Sequence, residues 1–189
     1  MQLTLSMFAP ITDGLSQKHM YQIFSNDELS RSFNQHISYA CNLSQSFVSF
    51  QSSNIWTVVG EWSNALTDCA QWLNGRGVGA RWEGQWGDAS DQHVFGTCNG
   101  YTGSYSTFSQ DYKDQMRQYF EVQIDVGEQV QGWIFWTWKV CRCPTHPVVV
   151  ERDQHLQAEN ADDWSYSKGV AGGWIPSNPT DRLYPNICS

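Results

Sequence analysis

Thr57-Val58-Val59-Gly60-Glu61-Trp62-Ser63 runs three strand-forming residues into a glycine, a carboxylate and a tryptophan. A short apolar run bounded by glycine reads as a strand buried on both faces, as in parallel sheets. A carboxylate just past the end of such a strand sits at the carboxyl edge, where barrel folds place their chemistry. Taken alone, Glu61 reads equally well as a solvated loop acid.

Upstream, His19-Met20-Tyr21-Gln22-Ile23-Phe24 reads as a short strand, and Ser25-Asn26 as a helix N-cap with Glu28 early in the turn. Apolar residues then recur at helical spacing from Leu29 through Phe33 and Ile37 to Ala40-Cys41, and a polar loop is predicted from Asn42 to Asn54. Downstream, Asp68 to Tyr105 is an irregular stretch rich in Gly and Trp, long enough to suggest a functional loop. Ser109 to Val130 is the best helix, with Tyr112, Met116, Tyr119, Phe120, Gln123 and Val126 on one side and Gly132 as its stop. Gly132 to Lys139 reads as a second near-continuous strand. Strand, helix, strand, helix, strand is the pattern of an α/β barrel or a doubly wound sheet.

The 189 residues suffice for one domain with a substantial core. A formal charge of −8 without a basic cluster argues against nucleic acid as a partner. Ten tryptophans in a chain with only 16% charged residues suit a carbohydrate binder, since indole faces stack on the apolar faces of sugars. Core filling is the plain alternative for many of them. Six cysteines lean towards an oxidising compartment, with free buried cysteines in a lysosomal or cytosolic chain as the alternative. No run of 18 apolar residues predicts a membrane span. Residues 1–16 make a poor signal peptide, lacking a basic flank and broken by Pro10 and Asp13-Gly14.

Gly60-Glu61-Trp62-Ser63-Asn64-Ala65-Leu66-Thr67-Asp68-Cys69 and Trp72-Leu73-Asn74-Gly75 closely resemble the fungal exo-β-1,3-glucanases (glucan 1,3-β-glucosidases) of glycoside hydrolase family 5. Gly132–Lys139, Gly172-Gly173-Trp174-Ile175-Pro176, Thr180-Asp181-Arg182 and Pro185-Asn186 resemble the same family in the same order. The resemblance covers residues 19–139 and 159–188, and implies an α/β fold: a partial (β/α)₈ TIM barrel holding roughly the sixth to eighth βα units. Residues 1–189 are then the C-terminal portion of a single glycoside hydrolase barrel, which normally takes about 250 residues.

By the resemblance Glu61 takes the position of the catalytic nucleophile of a retaining glycosidase, in which two carboxyls stand about 5–5.5 Å apart, one attacking the anomeric carbon and the other protonating the leaving oxygen. The family's acid lies in an Asn-Glu pair, and this sequence contains none. His19 and Tyr21 match a pair beside the nucleophile, the tyrosine hydroxyl donating to it; Glu28 matches a carboxylate near the glucose subsite, although alone it reads as a helix-start residue. Trp136 matches the floor of that subsite and Phe24 an aromatic clamp at its entrance, while Trp133 and Trp138 read as packing residues. The resemblance further implies disulfides Cys69–Cys98 and Cys41–Cys188, a β-glucan substrate, no cofactor, a monomer, and an extracellular or cell-wall location. The expected activity is release of glucose from the non-reducing end of β-1,3-glucan; the alternative is a catalytically inactive remnant that at most binds glucan.

Residues 1–17 and 140–158 match nothing in the family; the second segment reads most simply as an unremoved intron or a gene-model error, and the first falls under the same suspicion. Within the second, Cys141, Cys143, His146 and His155 fit no common zinc spacing.

Overall fold

The computed structural model describes residues 15–53, 55–87, 93–140 and 161–188. Cys141, Cys143, His146 and His155, most of the unmatched start and almost all of the unmatched insertion lie outside the described residues. Strand β1 (Leu15–His19), helices α1 (Asn26–Leu29) and α2 (Phe33–Ser53), strand β2 (Trp56–Trp62), helix α3 (Gln110–Glu128), strand β3 (Trp133–Phe135) and helix α4 (Tyr166–Gly172) follow in order. The strands form one parallel sheet in the order β1-β2-β3. This is the α/β class expected, and it is compatible with part of a (β/α) barrel.

Several boundaries differ from expectation. The first strand ends at His19, where the chain had been expected to begin one. Gln22 and Ile23 are adjacent and both buried, so residues 20–25 have no strand alternation. The helix expected from Leu29 is two helices. Ser32 and Gln35 divide them: each backbone N–H bonds the other's side chain, at 2.7 and 3.4 Å, a capping box that starts α2 afresh. The polar loop expected at 42–54 is instead the second half of α2. Its Ser and Gln residues conceal a stripe of Ile37, Ala40, Ser44 and Phe47, all buried at helical spacing. Helix α3 matches its prediction closely, with Ser109 as N-cap and all six named residues buried. Its C-cap is Gln129, whereas Gly132 takes a positive φ of 123° in the turn into β3.

Strand β3 covers three residues rather than eight. Beyond it the backbone turns to a new partner: Thr137 N–H donates to Trp164 C=O, and Tyr166 and Ser167 N–H donate to Thr137 and Trp138 C=O, all at 2.9 Å. Nor is β2 buried on both faces. Thr57, Val59 and Trp62 face the helices and are buried, while Trp56 on the opposite face is 70% exposed. The core lies on the helix side. Trp62 is fully buried there with ring centres 4.9 Å from Phe135, 5.5 Å from Phe120 and 5.6 Å from Trp133.

Both expected disulfides form, Cys41–Cys188 across 147 residues and Cys69–Cys98 across 29. Buried acids complete the closure of the loops. Glu121 on α3 accepts from the N–H groups of Leu183 and Tyr184, at 2.9 and 2.6 Å, and so pins the tail that Cys188 ends. Asp68 accepts from Arg81 N–H at 2.8 Å, Trp82 N–H at 3.0 Å and the Asn74 amide at 2.8 Å, organising the loop beside Cys69.

Asp163 is fully buried, with the Thr102 hydroxyl donating to its Oδ1 at 3.1 Å. Burial pushes its carboxyl up to about 7, against hydrogen bonds from its own backbone and Thr102, and the neighbouring Asp162 adds to the rise. The folded chain therefore binds a proton between about pH 4 and 7 that the unfolded chain has already released. Its contribution to stability is fully present at the acid end and lost as pH rises through that window. Replacing Asp163 by Asn removes this term, so the variant's urea midpoint relative to wild type is expected to rise between pH 5 and pH 8. A difference independent of pH would contradict this account.

Candidate active site

The carboxyl ends of the three strands bring His19, Glu61 and Trp136 to one edge of the sheet. Between Lys18 and His19 the register with β2 slips: Lys18 faces Val59, yet His19 faces Glu61. A similar slip separates Val59–Trp133 from Trp62–Phe135 on the other side. One extra residue in β2 thus opposes both neighbours, a bulge centred on Gly60-Glu61. Strict alternation from Val59 would put Glu61 on the helix-packed face. The bulge instead sets it beside His19 on the open face, while Trp62 returns to the core. Gly60 suits this place because a Cβ there would lie 2.8 Å from Gln17 Oε1 and 3.2 Å from Gln17 Cβ.

Tyr21 donates its hydroxyl to Glu61 Oε2 at 3.0 Å, and His19 Nδ1 approaches the same oxygen at 3.5 Å. Among the described residues Oε1 carries no hydrogen bond. Burial raises the Tyr21 phenol well above its ordinary range, and the charge and hydrogen bond of Glu61 raise it further, so the group is a fixed donor. Met20 N–H donates to Glu61 C=O at 2.7 Å and holds the segment in place.

Residues that the sequence reading passed over support this pair. Gln22, buried next to Tyr21, donates to His36 C=O at 3.1 Å and to the Tyr119 hydroxyl at 3.2 Å, while Arg31 donates to its Oε1. That network anchors the segment from which Tyr21 projects. Trp164 backs the Tyr21 ring at 5.8 Å. Nothing in the sequence spacing joins Trp164 to Tyr21, because their 143-residue separation is closed only by the fold.

Phe24 packs edge-on against Tyr21 at 5.4 Å, which places it at the same edge. Glu28 accepts from Phe24 N–H at 2.8 Å while its own N–H bonds Ser25 Oγ at 3.2 Å. Its carboxylate does the work of a helix-start residue and fixes Phe24. Trp136 is 50% exposed, its N–H donates to Trp62 C=O at 2.7 Å, and the Trp136–Thr137 peptide is cis. Trp133 packs on Trp62, whereas Trp138 is exposed and stacks on Tyr166 at 5.5 Å. Among the described residues no group of three or more His, Cys, Asp or Glu side chains is placed to hold a metal ion, and no helix is long and apolar enough to cross a membrane.

These features define a parallel α/β protein with a tyrosine-held carboxylate and an exposed indole on the carboxyl edge of its sheet. Comparison with known proteins is more particular. The chain is 38% identical over 176 residues to a glucan 1,3-beta-glucosidase of Kluyveromyces lactis, covering 93% of this chain and 36% of that protein. It is 38% identical over 172 residues to a probable glucan 1,3-beta-glucosidase A of Aspergillus niger, covering 90% and 36%. With glucan 1,3-beta-glucosidase I/II of Saccharomyces cerevisiae it shares 34% identity over 172 residues, covering 90% and 33%. The resemblance to the fungal glucan 1,3-β-glucosidases read from the sequence is therefore found, and it extends along nearly the whole chain. The chain spans about a third of the length of these relatives, consistent with a C-terminal part. No protein-family model matches it.

The Tyr21–Glu61 contact makes a direct prediction. Replacing Glu61 by Gln removes the negative charge that helps hold the phenol protonated, so Tyr21 is expected to ionise at lower pH, while burial still keeps it above the ordinary tyrosine range. Alkaline titration of the ring Cζ resonance measures this. An unchanged midpoint would mean that the two groups do not interact.

Proposed function

We propose that this chain is the nucleophile-bearing part of a retaining β-glucan exohydrolase of glycoside hydrolase family 5, with Glu61 as the nucleophile. The observation that carries the reading is the bulge-presented Glu61, with the Tyr21 hydroxyl donating to Oε2 and the His19 ring beside the same oxygen. Such an arrangement orients the carboxylate and leaves Oε1 to approach an anomeric carbon. In the first step the glycosidic C1–O bond breaks as an ester forms between C1 and the Glu61 carboxylate. In the second, water attacks C1 and loses a proton to the carboxylate that served as acid in the first step, the C1–Glu61 ester bond breaks to restore the Glu61 carboxylate, and the sugar departs with its β configuration restored. Trp136 floors the glucose subsite, Phe24 clamps the entrance, His19 and Tyr21 position the nucleophile, and Glu28 stands near the glucose subsite while its carboxylate holds Phe24 in place. The substrate is β-1,3-glucan taken from its non-reducing end, acted on outside the cell or in the wall by a monomer.

Departure of an ordinary sugar requires a proton from a second carboxyl, and among the described residues none contacts Glu61. The two halves of the chemistry separate experimentally for that reason. A 2,4-dinitrophenyl β-glucoside leaves as a stable phenolate and needs no acid, whereas laminarin does. With this chain the activated glycoside is expected to give a burst of about one phenolate per protein, leaving a glucosyl ester on the peptide that contains Glu61. Glu61→Gln abolishes the burst, Tyr21→Phe slows it by about 10- to 100-fold, the scale of a misplaced reacting group, and laminarin is not cleaved. Label on another residue would overturn the assignment. Laminarin binding without a burst would establish the glucan-binding remnant instead.

A further inference from the structure

We infer that Asn42 is an N-glycosylation site, bearing an oligosaccharide whose first sugar is N-acetylglucosamine. Asn42-Leu43-Ser44 is an acceptor triplet. Asn178-Pro179-Thr180 has the same outer residues, but its central proline forbids transfer. Asn42 is exposed on α2, one residue after Cys41.

An unusual feature of the triplet is its serine. Ser44 is 3% exposed, within the stripe of Ile37, Ala40 and Phe47 that packs into the core. Its hydroxyl has no hydrogen-bond partner among the described residues. A buried, unpaired hydroxyl in a helix costs free energy that alanine at the same place would not. Nothing in the packing asks for an oxygen there. The oligosaccharide-transfer reaction does, because the acceptor must carry a hydroxyl two residues after the asparagine.

The setting supports the same reading. Asn42 borders an open cleft of about 340 Å³ that Asp27, Ser30, Arg31 and Tyr39 also line, with the Arg31 guanidinium 4.1 Å from the Tyr39 ring centre. A sugar attached to Asn42 meets polar groups and an aromatic face there rather than a clash. Disulfides Cys41–Cys188 and Cys69–Cys98 suit an oxidising compartment, where such transfer takes place. The donor is a lipid-diphosphate-linked oligosaccharide. Its C1–phosphate bond breaks, a bond from C1 to Asn42 Nδ2 forms, and the amide loses one proton. With Ser44 buried in the folded helix, transfer must precede folding of α2.

The test is expression of this chain behind a secretion leader in a yeast host, with its electrophoretic mobility read before and after endoglycosidase H. Because transfer precedes folding, retained or misfolded chain reports as well as secreted chain. One glycan is expected, lost in Asn42→Gln and in Ser44→Ala and kept in Thr180→Ala. Peptide:N-glycosidase should convert Asn42 to Asp in the tryptic peptide. Mobility indifferent to the enzyme, or a shift that survives Asn42→Gln, would overturn the inference.

Discussion

One extra residue in β2 governs the edge of this sheet. A strand presents successive side chains to opposite faces, so position in the strand ordinarily decides whether a residue meets the core or the open side. Val59 and Trp62 both belong to the core, three residues apart, and only a break in alternation allows that. The bulge at Gly60-Glu61 supplies the break and delivers Glu61 opposite His19. Its local cost is borne by Trp62, whose indole is wedged among Phe120, Trp133 and Phe135 and holds the strand on both sides of the irregularity. Packing on one face thus fixes the chemistry available on the other.

The neighbouring strand is tied to that geometry from a different direction. Tyr21 lies beyond the end of β1, where no ladder constrains it. Its aim comes from Met20, bonded to the Glu61 carbonyl, and from Gln22, bonded into α2 and α3. Residues 20–25 therefore alternate not between two faces but between an anchor and a presented group. Tyr21 and Phe24 face the edge, while Gln22 and Ile23 are buried.

Much of this was legible in the sequence because the signals were local. The β2 run, helix α3 and the Ser25 cap all follow from periodicity and capping chemistry. The family resemblance singles out Glu61, His19, Tyr21, Phe24 and Trp136 as candidates, and the fold gathers them at one edge. What escaped the reading was non-local. The Ser- and Gln-rich half of α2 looks like loop by composition, yet Ser44 and Phe47 continue the buried stripe of Ile37 and Ala40. The short β3 escaped for a similar reason: residues 137 and 138 hydrogen-bond to 164–167, far along the chain, and so leave the sheet. Neither the bulge nor the Gln22 network can be read before the strand register is known.

The acids of this chain divide by what they accept from. Asp68, Glu83, Glu121, Asp162 and Glu28 each take at least one backbone N–H: from Trp82, Cys98, Leu183, Tyr105 and Phe24 respectively. A carboxylate bonded to main chain is part of the architecture, because moving it would unfix a loop. Glu61 takes its one carboxylate hydrogen bond from the Tyr21 side chain, on Oε2, with the His19 ring 3.5 Å from the same oxygen. Side chains can shift by a rotation as charge on the carboxylate changes, and the second oxygen need not break a structural bond to react. Glu61 shares that freedom from main-chain bonds with Asp27, Asp114, Asp125 and Glu128, and differs from them in its tyrosine donor and its place at the carboxyl edge of the sheet. Burial alone would not have singled it out, since the architectural Asp68 and Glu121 are the more buried groups.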